Sequence, residues 1–514
     1  MKLGIDFGTT RTLVAGQDGG NYPICTFSWK GEMKEYIPSL VAAKGGDLHF
    51  GWEALDILDE PDVHLLRSMK RLSSHHRADD VLNIGPAVSI TMLDLITRFL
   101  SHVKTMVLKH GSFQMHRKNP IEALVAFPAN ANSNQRYITL EAFRQAGFTV
   151  MAAMNEPSAA AVEFLQRYLR HLGPRSPKKH VAVYDLGGGT FDTSVVGITE
   201  WRHDVVAHEG IGRLGGDDFD EIILDLVLNE AGLQKGNLSA SAVIRLLEEC
   251  RERKEGLKAN TRKMVVDLGP VVKGKVPVVL ETAVVYDRCN RLIQQSLHTL
   301  RRLLMRLGEA PDDNRSLAAV YLVGGSVAFP PVSRSLREIY PNKVKTSPFP
   351  HAATAIGLAI AGDPEARITL QESVSRHFGL WRENGQDKIF DPVFKKDMQV
   401  DGHTGRLKVC RTYQPVHNIG VLRFLECTSL GEEGQPEGDI ALWKDVYFPY
   451  DPALRGRRGL RKVPVRLCPE LSSQEIIETY EYNERGLVCV EIENRTSGYR
   501  KAITLEPATG TPKH

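Results

Sequence analysis

Two short stretches of the 514-residue chain carry the same chemistry: LGIDFGTT (3–10) and VYDLGGGTFD (183–192). Each closes an apolar run on an aspartate and follows it with a glycine turn and a threonine. Glycine frees the backbone for positive φ and lets it approach a ligand without a Cβ in the way, so successive N–H groups can converge on an anion. Gly8, Thr9 and Thr10 on one side and Gly187, Gly188, Gly189 and Thr190 on the other are expected to grip phosphate oxygens. Asp6, Asp185 and Asp192 are expected to supply hard oxygen to a magnesium ion and its waters. Neither turn has the P-loop spacing, and neither opens a helix as a dinucleotide fingerprint does.

The elements around these turns are read from apolar periodicity. KLGIDFG and RTLVAGQ read as two strands about a tight turn, and VAVYDLGGGTFDTSVVGI repeats that hairpin 179 residues later (185 − 6). So long a period implies a duplicated domain rather than a small repeat. Two such lobes facing each other place the turns on opposite walls of one cleft. Met92, Leu95, Ile96, Phe99, Leu100, Val103 and Val107 recur at helical spacing, and IEALVAFP (121–128) reads as a buried strand. Helices are expected over roughly 133–146, 156–169, 217–230, 239–258 and 284–306, with a strand at AVYLVGGS (319–326) and a small-residue helix at HAATAIGLAIAG (351–362). LGPRSPKKH (172–180) marks a loop between the halves. From about 373 onward, short alternating segments such as KIFDPVF, GVLRFLECTSL, KVPVRLC, IIETYEY and GLVCVEIEN predict a separate antiparallel β domain.

Composition narrows the function classes. With 65 Lys and Arg against 62 Asp and Glu, the net charge of +3 exerts no global pull toward nucleic acid or membrane. The N-terminus runs directly into a strand pattern, so no signal peptide is expected, and no apolar run is long enough to span a bilayer. Seven cysteines without metal spacing predict reduced, mostly buried thiols and a cytoplasmic location. RGRRGLRK (455–462) reads as a solvated loop, since no aromatics interleave its charges, and SSHHRADD (73–80) as a polar surface segment.

The ordered motifs GIDFGTT, NEPSAAAVEF, DLGGGTFD, LGGDDFD and YLVGGS resemble the ATPase domain of the DnaK-type heat-shock chaperones, the heat shock protein 70 family, within the actin and sugar-kinase superfamily. The likeness spans about 1–362. It implies an α/β fold: a duplicated, ribonuclease H-like (actin-like) ATPase domain with lobes at about 1–175 and 180–362. A linker at 363–372 and a smaller antiparallel β-sandwich at 373–508 follow. It implies ATP or ADP with Mg2+ and K+ as cofactors. It assigns Lys70, Glu156, Asp185 and Thr190 to catalysis and Asp6, Asp185 and Asp192 to the metal. Gly8, Thr9, Thr10, Arg11, Gly187, Gly188, Gly189, Gly215, Gly216, Asp217, Lys254, Gly324, Gly325 and Ser326 are assigned to the nucleotide. The partners implied are a polypeptide client or one specific protein, a J-domain co-chaperone and an exchange factor, with neither nucleic acid nor membrane.

The pattern departs from the family at the base-recognition end. Ala328 stands where an arginine usually stacks on adenine, Arg251 and Glu255 exchange the expected acid and base, and His351 replaces an aspartate. An i, i+4 pair between Arg251 and Glu255 is expected to survive in reverse. Intact phosphate handling with altered adenosine recognition follows. In the C-terminal part, TYEYNERGLVCVEIENRTSGYRKAITL (479–505) resembles the closing strands of the family's peptide-binding sandwich. There NGQDKIF is more polar than the family's apolar segment, and the linker RITLQE retains Ile368 and Leu370. Nine residues after Leu505 leave no room for a helical lid, which predicts fast peptide release. Three alternatives remain beside the chaperone-like ATPase: a nucleotide-bound sensor or scaffold for one partner, an actin-like polymer, and a sugar kinase. The appended β domain with Lys70 and Glu156 argues against the polymer, and no acceptor pocket stands out for the kinase.

Overall fold

The computed structural model describes residues 1–504 apart from 59, 116–118, 169–177, 199–202, 270, 273, 275, 310–313, 367, 369, 385–386, 402–403, 444 and 485. The expected loop at 172–177, the centre of NGQDKIF and the end of the chain after Thr504 lie outside the described residues. Two compact units are present, Met1–Asn130 with Ile138–Leu370, and Ala131–Tyr137 with the chain from Gln371 onward.

The first unit holds two sheets built on one plan. In the first, β1 (Leu3–Phe7) pairs antiparallel with β2 (Arg11–Gly16), Asp6 opposite Leu13, and parallel with β3 (Ile121–Phe127), which in turn pairs with β4 (Phe148–Asn155). In the second, β5 (His180–Leu186) pairs antiparallel with β6 (Phe191–Ile198), Asp185 opposite Asp192, and parallel with β8 (Leu317–Val323); β7 (His203–Ile211) adds to β6. A hairpin flanked by a parallel strand thus occurs twice, the two-lobed actin-like arrangement that the duplicated motif implies. Strands covered on both faces read as apolar runs, as VAVY and AAVYLV do.

The helices follow the apolar stripes. α1 (Met92–Lys109) buries all seven residues of its expected face and is capped by Thr91, whose hydroxyl accepts the Asp94 N–H at 3.2 Å. α2 (Glu156–Tyr168) lies between the sheets. Its Ala159 and Val162 belong to the apolar cluster of Leu13 and Leu124, and its Ala160, Ala161, Phe164 and Leu165 to that of Val181, Val183 and Tyr321. α3 (Gly216–Glu230), α4 (Ala240–Glu255) and α5 (Thr282–Arg306) build the core of the second lobe around Phe219, Leu246 and Leu300. α6 (Pro330–Ile339) follows β8, and α7 (Ala353–Ala361) crosses α2. A Cβ on Gly357 of α7 would stand 1.7 Å from the Ala159 carbonyl oxygen, so only glycine fits there. The expected small-residue helix is small because two backbones meet. Beyond it, Ile368 and Leu370 of the linker pack against this unit's apolar clusters.

The second unit is a sandwich of two four-stranded antiparallel sheets. One joins β9 (His377–Asn384), β10 (Asp387–Phe394), β12 (Phe424–Leu430) and β13 (Pro436–Leu442). The other joins β11 (Leu407–Tyr413), β14 (Ile476–Tyr482), β15 (Val488–Asn494) and β16 (Tyr499–Thr504). Phe378, Phe394, Phe424, Trp443 and Tyr480 fill the core. Fully buried Glu478 accepts from Arg382 Nη2 at 2.6 Å and from the Tyr413 hydroxyl at 2.8 Å, which satisfies its charge. KVPVRLC forms no strand. Its Val465 and Leu467 are exposed, and Pro464 and Pro469 remove the N–H groups a ladder needs. Among the described residues no helix is long and apolar enough to cross a membrane, and no cysteine is bridged.

Candidate functional site

The two hairpin turns meet across a cleft of the first unit. Each is closed by a backbone bond from its first glycine, but in opposite directions along the chain: the Gly8 N–H donates back to the Asp6 carbonyl at 3.1 Å, and the Gly187 N–H forward to the Thr190 carbonyl at 3.0 Å. Among the described residues neither turn contains a glycine with positive φ, contrary to the expectation. The glycines serve closeness instead: a Cβ on Gly188 would lie 2.5 Å from both Oγ1 and Cγ2 of Thr10. The second turn is braced from behind by the start of α3, whose Gly216 and Asp217 N–H groups donate to the carbonyls of Gly187 and Gly188 at 3.0 and 2.7 Å, and by Ser326 Oγ, which donates to Gly187 at 2.8 Å.

The floor is acidic. Asp6, Asp185, Asp192 and Glu156 are largely buried around the Lys70 ammonium, which donates to Glu156 and lies 3.9 Å from Asp6 Oδ1. Burial pushes the Asp6 carboxyl up to about 7, against the pull of Lys70, and Glu156 pushes it further. Burial and the Glu156 charge bring Asp192 to about 7 as well, and burial with three neighbouring carboxylates holds Asp185 well above its ordinary range. Burial works against the charge of Lys70, but Glu156 and Asp6 outweigh it and raise its pKa. Asp6 Oδ1 is buried without a hydrogen-bond donor among the described residues. Such a donor set fits a hard cation. Among the described residues no three acidic, His or Cys side chains are grouped so as to hold a metal ion by themselves.

Most of the sequence-assigned residues line this cleft: Asp6, Gly8, Thr9, Thr10, Arg11, Lys70, Glu156, Asp185, Gly187, Gly188, Thr190, Gly216, Asp217, Lys254, Gly324, Gly325 and Ser326. Asp192, Gly189 and Gly215 stand one layer behind. Asp192 Oδ1 accepts the Ala129 N–H at 3.0 Å, and a Cβ on Gly215 would meet the Gly188 carbonyl at 2.5 Å. Asp217 uses its oxygens on protein partners, accepting from Ser68 Oγ at 2.8 Å and Arg251 Nη2 at 2.9 Å. Buried Lys254 donates to the Gly216 carbonyl at 2.8 Å and pairs with Asp220 at 2.7 Å.

The expected reverse pair between Arg251 and Glu255 does not form. Arg251 turns instead to Asp217 and Asp220 of α3 and to Glu248 one turn back on its own helix, and Glu255 accepts from Arg11 Nη2 at 2.6 and 2.8 Å, because charges on other elements compete for both. The Arg11 guanidinium lies 4.4 Å from the Tyr36 ring centre, and His351 Nε2 pairs with Glu35 at 3.0 Å. The bridges Arg11–Glu255 and Ser68–Asp217 draw the cleft nearly shut, with about 80 Å³ of free space inside. Asp220 and Tyr36 were not read from the sequence. Asp220 had a signal, as the last residue of LGGDDFD one helical turn after Asp217; Tyr36 lies in a loop-rich stretch that offers none.

A family model described as Hsp70 protein matches residues 2–366. Two relatives, each named Chaperone protein HscA homolog and from two strains of Acidithiobacillus ferrooxidans, are 27% identical to the chain over 527 aligned residues. The alignments cover 99% of this chain and 78% of each relative. The repeated hairpins, the shared cleft and this match agree, and the chain belongs to the Hsp70 family of chaperones.

Proposed function

We propose that the chain hydrolyses ATP between the two turns and uses nucleotide state to control polypeptide binding by the β-sandwich. Residues 1–362 serve as the nucleotide domain, 363–372 as the linker and 373–508 as the substrate-binding part. The observation that supports this most is the pairing of Thr10 with Gly188 above a buried floor where Lys70 and Glu156 touch and Asp6 keeps an oxygen free.

Phosphoryl transfer to water asks mainly for charge neutralisation and alignment. The N–H groups and hydroxyls of Thr9, Thr10 and Thr190 hold phosphate oxygens. Lys70 places its ammonium toward the terminal phosphate, and Glu156, fixed by Lys70, accepts a proton from the attacking water. Asp6 and Asp185, with Asp192 behind them, would hold magnesium, which would supply positive charge against the triphosphate. Arg11–Glu255 and Ser68–Asp217 must part to admit the nucleotide.

ATP turnover by wild type and Lys70→Ala, with and without an unfolded polypeptide, tests this reading. Turnover that needs Lys70 and rises with polypeptide supports it. Binding without turnover favours a nucleotide-dependent sensor or scaffold instead, with the same cleft used only to hold its ligand.

A further inference from the structure

Lys70 sits in a helix of only four residues, Met69–Leu72, too short to hold its own geometry. A serine before a helix normally takes an extended backbone and accepts one of the first N–H groups with its hydroxyl. Ser68 does neither. Its backbone is left-handed, φ 58° and ψ 40°, and its Oγ caps no N–H of the helix. The hydroxyl crosses the cleft instead and donates to Asp217 Oδ2, on the first turn of α3, at 2.8 Å. A residue other than glycine rarely adopts this conformation, and beside a functional group it marks a place where surrounding contacts outweigh the strain.

The neighbours of Ser68 reach the same way. Arg67 Nη2 lies 3.3 Å from Glu248 Oε1 of α4 and 3.7 Å from Asp217 Oδ1, and Arg71 Nη2 donates to Asp218 Oδ1 at 3.1 Å. Arg67, Ser68 and Arg71 of the first lobe are thus all held by acids of the second. Within its own lobe Lys70 pairs with Glu156 and approaches Asp6, contacts that fix its ammonium. The contacts from across the cleft anchor the backbone that carries it. Asp217 also donates its N–H to the Gly188 carbonyl at 2.7 Å, so one residue joins the second glycine turn to the turn that bears Lys70.

We propose that Ser68 is a positioning residue: through Asp217 it ties the placement of Lys70 to closure of the second lobe, so that the ammonium meets the terminal phosphate in register only once the second turn has closed on the nucleotide. The inference rests on the hydrolytic reading of the cleft. The Ser68–Asp217 contact parts for entry and re-forms on closure. An open lobe leaves the Lys70 turn without this anchor, and misplacing a reacting group by about 1 Å can cost on the order of a hundredfold in rate. The hydroxyl therefore acts on the chemical step, while affinity is carried by the two glycine turns.

The test is single-turnover hydrolysis of Mg·ATP by the full chain, with nucleotide affinity measured beside it, in wild type, Ser68→Gly, Ser68→Asn, and Asp217→Ala with and without Ser68→Gly. Glycine adopts the left-handed backbone without strain, so Ser68→Gly removes the hydroxyl and keeps the fold. Its rate should fall by about tenfold or more while affinity changes by no more than about threefold. Asparagine tolerates the same backbone and offers an amide N–H to Asp217, so Ser68→Asn should recover most of the rate. In the Asp217→Ala background Ser68→Gly should cost nothing further, since the acceptor is already gone. A Ser68→Gly rate within about threefold of wild type overturns the proposal, as does a loss of affinity at unchanged rate, or a full additional loss in the Asp217→Ala background. A wild type that does not hydrolyse ATP removes the hydrolytic reading, and the positioning role with it; turnover that needs Lys70 but not Ser68 removes only the latter.

Discussion

Thr10 and Gly188, 178 residues apart, are in contact: a methyl group added to the glycine would overlap both Oγ1 and Cγ2 of the threonine at 2.5 Å. Gly188→Ala must therefore push one turn away from the other. We expect nucleotide affinity to fall at least tenfold, about 1.4 kcal/mol, with little change in the unfolding midpoint. Thr10→Gly in the same chain should restore part of the loss, and a double-mutant cycle measures that coupling. Strict additivity of the two changes would show that the turns act separately.

Glu156 stands beside Lys70 on the floor, and its carboxylate is the acceptor nearest the ammonium. Glu156→Gln keeps the volume and removes the proton acceptor. Single-turnover hydrolysis should slow by two to three powers of ten, on the order of other general-base deletions, while nucleotide affinity changes by no more than about threefold. A turnover rate within threefold of wild type would remove Glu156 from the chemistry.

The acidic floor makes cation binding sensitive to pH. Asp6 and Asp192 are each pushed up to about 7, and Asp185 is raised well above its ordinary range, all chiefly by burial. A carboxyl whose folded pKa is raised favours the folded state below its unfolded value, near 4, and that contribution is lost as pH climbs through 7. In the absence of a cation the folded protein accordingly retains protons at pH 6 to 7 that an unfolded chain has released. A bound cation lowers these pKa values, so Mg·nucleotide binding should expel about one proton near pH 7 and tighten as pH rises from 6 to 8. Calorimetry in two buffers of different ionisation enthalpy reads the proton count directly; a value of zero contradicts the assignment of Asp6 to the metal.

Arg251 neutralises Asp217, Asp220 and Glu248 at once, and burial already lifts the Asp220 carboxyl to about 7 despite Lys254. Arg251→Ala leaves that cluster short of a positive charge. A loss of about 3 kcal/mol of stability is expected, the usual result of removing one member of a largely buried ion network. Chemical denaturation of the full chain measures it. Arg251→Lys should recover only part of the loss, because an ammonium cannot reach three carboxylates as a planar guanidinium does.

Elements with long periodic stripes were legible before any coordinates. All seven residues read as the buried face of α1 are buried, with Met106 added to them, and the strand–turn–strand hairpins at Asp6 and Asp185 form as read. The glycine turns were located correctly, but their physical role differed: contact with Thr9 and Thr10 lies 178 or more residues away in sequence, where local pattern has no reach. Arg251 and Glu255 failed for the same reason. Helical spacing makes them neighbours, yet each is claimed by a charge from another element. KVPVRLC alternates like a strand, but Pro464 within it and Pro469 just after it outweigh that pattern. Asp192 has the right residue type at the right place in the motif and still sits a layer behind the cleft, a depth that alternation along β6 does not encode.

The joint of α2 and α7 has a further consequence. Where Gly357 meets the Ala159 carbonyl there is no side chain to compress, and on either side of it α2 carries mostly methyl groups toward the two sheets. At that point a change of angle between the lobes is a pivot of backbone on backbone, while Phe164 and Leu165 of α2 stay packed on the second sheet. Any opening of the cleft is then resisted first by the contacts across its mouth, Arg11–Glu255 and Ser68–Asp217.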